Sequence, residues 1–114
     1  MMGTRFLALA AALSIAGPAA AGPDPPTVTV TLMDHRFTPS TFTVPAGQKV
    51  RIVLINRDAA TEEFDSHDLR TEQVVTPMGR ISFWIGPLKA GDYSFMGEFH
   101  AATAQGKITA AEAR

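Results

Sequence analysis

The sequence predicts an all-β domain, a two-sheet antiparallel sandwich of about seven strands. Three observations predict it. Short runs of period-two alternation recur from residue 27 to residue 111. Turn signals built on Pro, Gly, Asn and Asp separate the runs at regular spacing. No internal repeat and no convincing helical period accompanies them. With 114 residues the chain can build one core but not two.

The first 21 residues read as an export signal. Arg5 is the lone early charge, Phe6 to Ala16 is an apolar run, and Pro18-Ala19-Ala20-Ala21 supplies small residues for cleavage after Ala21. The run is too short to span a bilayer. Residues 22–26 form a stiff lead-in whose prolines, Pro23, Pro25 and Pro26, lack amide donors. The domain then occupies residues 27–114.

Val28, Val30 and Leu32 alternate with Thr27, Thr29 and Thr31, which describes a half-buried strand. A second strand runs from about Ser40 to Val44 and stops at Pro45-Ala46-Gly47-Gln48. Lys49 to Asn56 carries Val50, Ile52 and Leu54 on one side and Val53 and Ile55 on the other, so it belongs near the middle of a sheet. Residues 56–70 read as a polar loop, and Glu72 to Val75 as a brief edge strand. Arg80 to Ile85 alternates again, with Ile81, Phe83 and Ile85 inward and Trp84 outward. Tyr93 to Glu98 and Gly106 to Ala111 complete the set.

Lys and Arg number 10 against 11 Asp and Glu, with no basic stripe to meet a phosphate backbone, so no nucleic-acid partner is expected. The chain has no cysteine. The fold must therefore hold without disulfides, and a thiolate metal centre is excluded. Ser66, His67 and Asp68 are adjacent in sequence, which is not the geometry of a hydrolytic triad, and no Gly-rich phosphate loop is present.

Four segments carry a family resemblance: Phe37-Thr38-Pro39, Val44-Pro45-Ala46-Gly47, Val53-Leu54-Ile55-Asn56 and Leu88 to Phe95. Together with Gly97-Glu98-Phe99-His100 they resemble the cupredoxins, small Greek-key β-sandwiches that hold copper. More narrowly, Glu62 to Ser66 taken with Gly97 to His100 is similar to the EfeO-type, cysteine-free group that accompanies bacterial ferrous-iron permeases of the Ftr type. That resemblance implies a periplasmic protein handling iron or copper. Its implied partners are an iron permease or a membrane redox protein, and its implied activity is oxidation of Fe(II) or electron transfer. By position the first His ligand falls near Glu63, the Cys position is Gly97, and the second His is His100. The usual Met ligand has no counterpart in Ala101 to Gln105.

The resemblance therefore implies a non-blue metal site on Glu63 and His100, completed by Glu98 and Met96, with Asp65 and His67 next in line. Carboxylate and imidazole together suit Cu(II), iron or Zn(II), and raw affinity favours Cu(II). Oxygen ligands also favour Fe(III), whereas a thioether favours Cu(I). Alternation complicates the set. If Tyr93 and Phe95 face the core, so does Gly97, while Met96 and Glu98 share the opposite face. Glu98 then reaches the site only if the backbone turns at Gly97, which glycine makes easy. Each candidate has an ordinary reading beside it: a loop-packing His100, a solvated acidic loop around Glu63, and a surface Met96. His35, at a strand end, reads as structural or exposed, and His67, between Asp65 and Asp68, as a surface residue. Trp84 marks either cross-strand packing or a partner surface. Two further functions stay open, a copper or iron carrier with no redox step and a β-sandwich interaction module without metal.

Overall fold

The computed structural model describes residues 24–113. The expected export signal and the first two residues of the lead-in lie outside that range. Nine strands make two sheets, and the only other regular element among the described residues is one turn of 3-10 helix. In chain order the strands are β1 (Thr27–Met33), β2 (Arg36–Thr38), β3 (Thr41–Pro45), β4 (Val50–Asn56) and β5 (Glu62–Ser66). They continue with β6 (Thr71–Val75), β7 (Arg80–Ile85), β8 (Gly91–Met96) and β9 (Gln105–Ala111). One sheet has the order β2-β1-β4-β7, the other β3-β9-β8-β5-β6.

The fold class is the all-β sandwich read from the sequence, with two corrections. Nine strands, not about seven, form among the described residues, because β2 lies in a stretch that the alternation leaves unassigned and β5 inside one that reads as a polar loop. The sheets are also mixed. β1 pairs with β4 in parallel, and β3 with β9, while every other pairing is antiparallel. Strands that pair in parallel need a crossover between them, and β2 with β3 supplies that detour for β1 and β4.

Between the sheets lies one core, built from Val30, Leu32, Val50, Ile52, Leu54, Val75, Phe83, Ile85 and Ile108 around an aromatic cluster. Phe64 stacks on Phe95 with ring centroids 4.6 Å apart, and Phe37 meets Phe95 edge-on at 4.9 Å. Both arrangements suit ring quadrupoles. Phe64 and Phe37 also position polar groups, because Glu62 lies two residues before Phe64 and His35 two residues before Phe37. The aromatic core thus anchors β5, which carries Glu62, and β2, which begins just after His35, at one rim of the sandwich. β4, central in its sheet, buries Val50, Ile52, Val53 and Leu54, as a strand apolar on both faces should.

Candidate metal centre

His35, Glu62 and His100 come from three separate segments and meet at one rim, each offering a donor atom within 4.8 Å of the others. Glu62 is fully buried. One of its oxygens lies 2.9 Å from His100 Nδ1, and the other lies 2.8 Å from His35 Nδ1. The two imidazoles stack face to face, with centroids 3.6 Å apart and planes 13° from parallel. An ionised carboxylate only accepts, so both rings donate from Nδ1 to the same side chain. One buried acid therefore fixes the orientation of two histidines.

His35 sits in a strained turn. It and Asp34 are the two residues between β1 and β2, and both have positive φ, 55° for Asp34 and 57° for His35. A two-residue hairpin with the right twist needs that conformation at both positions, and non-glycine residues adopt it only when held. Asp58 does the holding. Its two carboxylate oxygens accept the backbone amides of Asp34 at 2.7 Å and His35 at 3.0 Å. Asp58 is placed in turn by buried Asn56, whose side-chain oxygen accepts the Asp58 amide and whose NH2 group donates to carbonyls of Ala60, Val75 and Thr76. The Thr103 hydroxyl closes the ring from the other side by donating to the His35 carbonyl at 2.7 Å.

His100 ends the 3-10 turn Glu98–His100 that follows β8. Its amide donates to the Gly97 carbonyl, and its own carbonyl accepts the Ala104 amide, so the loop folds tightly back toward β9. Gly97 admits no side chain. A Cβ there would lie 2.9 Å from the Ala104 Cβ and 3.0 Å from the Glu63 carbonyl oxygen. At the position that resembles the thiolate ligand, the chain thus lacks both the sulfur and the room for it.

The carboxylate that meets His100 is Glu62, not its neighbour Glu63. Successive strand residues point to opposite faces, so Glu62, Phe64 and Ser66 share the face toward the core while Glu63 and Asp65 share the other. Glu63 instead joins Asp65 and Glu98, with one carboxylate oxygen from each within 4.8 Å. Glu98 therefore stays beside Glu63 while the turn after Gly97 carries His100 round to Glu62. Met96 lies next to Asp65 of the acidic cluster, its partner across the sheet. It is 40% exposed and lines a surface cleft with His67 and Gln105. His35, read as structural or exposed, is a full member of the rim cluster.

The electrostatics of the clusters differ. The His35 imidazole is held above its ordinary value, chiefly by its hydrogen bond to Glu62, with the charges of Glu62, Asp58 and Asp34 adding to this against partial desolvation. The Glu63 carboxyl is also raised, but first by burial and then by the like charges of Glu98, Asp65 and Glu72. The rim cluster sets imidazole nitrogens against its carboxylate, whereas the acidic cluster brings together carboxylates alone.

Comparison with known proteins places this geometry in context. Residues 5–110 match the cupredoxin-like domain family. Protein RP394 of Rickettsia prowazekii (strain Madrid E) is 44% identical over 81 residues, a stretch spanning 71% of this chain and 65% of that protein. Among solved structures, auracyanin A, a "blue" copper protein of Chloroflexus aurantiacus, superposes with a TM-score of 0.66 at 16% identity. The match covers 77% of this chain and all of auracyanin A. The metal-binding domain of the Cu(I)-exporting P-type ATPase CopA from Streptococcus pneumoniae D39 gives 0.67 at 11% identity, over 75% of this chain and 85% of that domain. At such identities the structural likeness speaks to the fold.

Proposed function

This chain belongs to the cupredoxin-like domain family, and on that premise we propose that it binds copper through His35, Glu62 and His100 at a centre without thiolate. One observation carries the reading: a fully buried carboxylate bonded to the Nδ1 atoms of two stacked histidines. Burying a carboxylate costs several kcal/mol unless its partners compensate, so a solvated loop has no reason to assemble this set.

The donors fit the ion. Two imidazoles and a carboxylate form an N2O set that takes Cu(II) ahead of the other divalent first-row metals. Separations of 2.8 and 2.9 Å between nitrogen and oxygen are close to those of donors about 2.0–2.1 Å from one ion at a right angle. Without metal the Glu62 carboxylate holds both Nδ1–H groups, so when those protons leave the same nitrogen and oxygen atoms already converge on one place for an ion. Bound copper would supply one-electron chemistry at a centre lacking the intense colour of a thiolate. The chain's own part is to fix both rings, through Glu62 on one side and through Asp58, Asn56 and Thr103 on the other.

The finer reading is an exported, periplasmic protein that serves ferrous-iron uptake beside a membrane permease or redox partner. It is supported by the resemblance of Glu62 to Ser66 and Gly97 to His100 to the cysteine-free iron-uptake group. Carboxylate in the donor set also favours the ferric state. Oxygen consumption on adding Fe(II) to the copper-loaded protein separates an oxidase from a carrier.

The test of copper binding is thermal. A ligand that binds only the folded state at 100 times its Kd adds about 2.7 kcal/mol. Copper should raise the Tm of the wild type and leave a His35→Ala/His100→Ala variant unmoved. An equal rise in both proteins removes the proposal.

A further inference from the structure

We infer that Glu63, Asp65 and Glu98 form a second cation site, separate from the histidine cluster and selective for a hard divalent ion that prefers oxygen ligands. Three carboxylate oxygens, one from each residue, lie within 4.8 Å of one another. Clustered acids alone are common on protein surfaces. Here, however, Glu63 is 3% exposed, and its Oε1 is buried with no hydrogen-bond partner among the described residues. A buried oxygen without a donor costs free energy, and native structures rarely leave one without a purpose. Asp65 and Glu98 cannot satisfy it while ionised, because carboxylates donate nothing. No Lys or Arg pairs with any of the three among the described residues: the one such ion pair found there joins Lys107 to Asp92. A divalent cation supplies what the orphaned oxygen lacks and offsets the mutual repulsion of three acids at once.

The donor set chooses the class of ion. Oxygen-only ligation suits Mn(II), Ca(II) or Mg(II), with Fe(II) the redox-active member, whereas imidazole nitrogens draw copper. The two sites stay distinct because they occupy opposite faces of β5. Glu62 and Glu63, adjacent in sequence, point to different clusters, and Glu98 and His100 do the same at the two ends of the 3-10 turn. The same two short pieces of backbone therefore carry a nitrogen-rich centre on one face and an oxygen-only centre on the other. This site does not depend on copper binding at the rim.

Mn(II) is the probe, because its free and bound forms differ in room-temperature EPR intensity. Titration of the purified protein should show one bound Mn(II) per chain. Binding should persist in His35→Ala/His100→Ala and fall at least 10-fold in Asp65→Asn/Glu98→Gln, whose changes lie at a half-buried and an exposed position outside the core. Glu63→Gln should weaken binding similarly, with circular dichroism confirming its fold. Absence of Mn(II) binding up to 1 mM in folded wild type overturns the inference, as does loss of binding in the double-histidine variant alone. Retained copper binding together with failed Mn(II) binding would sink this site while leaving the rim centre standing.

Discussion

Replacing Gly97 by Cys would place a thiol where the resemblance puts the copper thiolate, and the structure says that this fails. The new Cβ would meet the Ala104 Cβ at 2.9 Å, whereas carbon atoms rest at about 3.5–4.0 Å. The deficit is roughly 0.6–1 Å against a residue that is fully buried and has no flexible end to swing away. The second contact, 3.0 Å to the Glu63 carbonyl, is backbone and equally fixed. Overpacking of this kind costs about 1–3 kcal/mol. In a domain of 60–100 residues each kcal/mol lowers Tm by about 4–8 °C, so a fall between about 4 and 24 °C is expected. Function should suffer with stability. The Gly97 carbonyl accepts the His100 amide, so pushing this backbone aside moves a metal donor. Thermal unfolding of Gly97→Ala isolates the steric cost, and optical titration of Gly97→Cys with Cu(II) reads the chemistry. A Cys variant as stable as wild type that turns intensely coloured with Cu(II) would show that the loop has room for a thiolate after all.

Three further outcomes are expected from the same geometry. Glu62→Gln should weaken copper binding by about 10-fold or more, because it exchanges the charged oxygen ligand of the set for a neutral amide. NMR titration of the same variant should show His35 moving down toward its ordinary value of 6.5. Glu63→Gln should raise Tm at neutral pH in metal-free buffer. Its carboxyl is raised in the folded state, so the wild type is penalised as pH climbs from the ordinary 4.5 through the folded value, and Gln removes that decline. A pH–stability profile identical to wild type would contradict the assignment. Gly106→Ala should destabilise by about 1–3 kcal/mol, because the Phe95 ring lies directly over that glycine on β9. Denaturant unfolding checks it, and a loss under about 0.5 kcal/mol would show that the ring can move.

The strands that alternate cleanly were legible from the sequence. Val28-Thr29-Val30-Thr31-Leu32 and Arg80 to Ile85 announce their inward faces without help from the rest of the chain. β5 was not legible, because Glu62-Glu63-Phe64-Asp65-Ser66 reads as a solvated loop unless Glu62 is granted a buried place, and only distant histidines grant it. Functional sites are where local patterning should fail in this way. β2 has three residues and ends beside Pro39, and the turn before it uses Asp34 and His35 where glycine is the usual signal. Its strain is held by Asp58, more than twenty residues away. The acid beside His100 is therefore Glu62 and not Glu63, because a single step along a strand reverses the face. Two signals were present all the same: the core-compatible spacing of Phe64 with Ser66, and a two-residue gap between the strand-like runs on either side of Asp34-His35.

Everything assigned to the rim depends on two imidazoles sharing one metal with Glu62. Pulsed EPR of the protein loaded with one equivalent of Cu(II) reads the bound nitrogens directly. Two imidazole couplings are expected, falling to one in His35→Ala and to one in His100→Ala. A spectrum with no imidazole coupling, or one that either substitution leaves unchanged, would rule out that shared ligation.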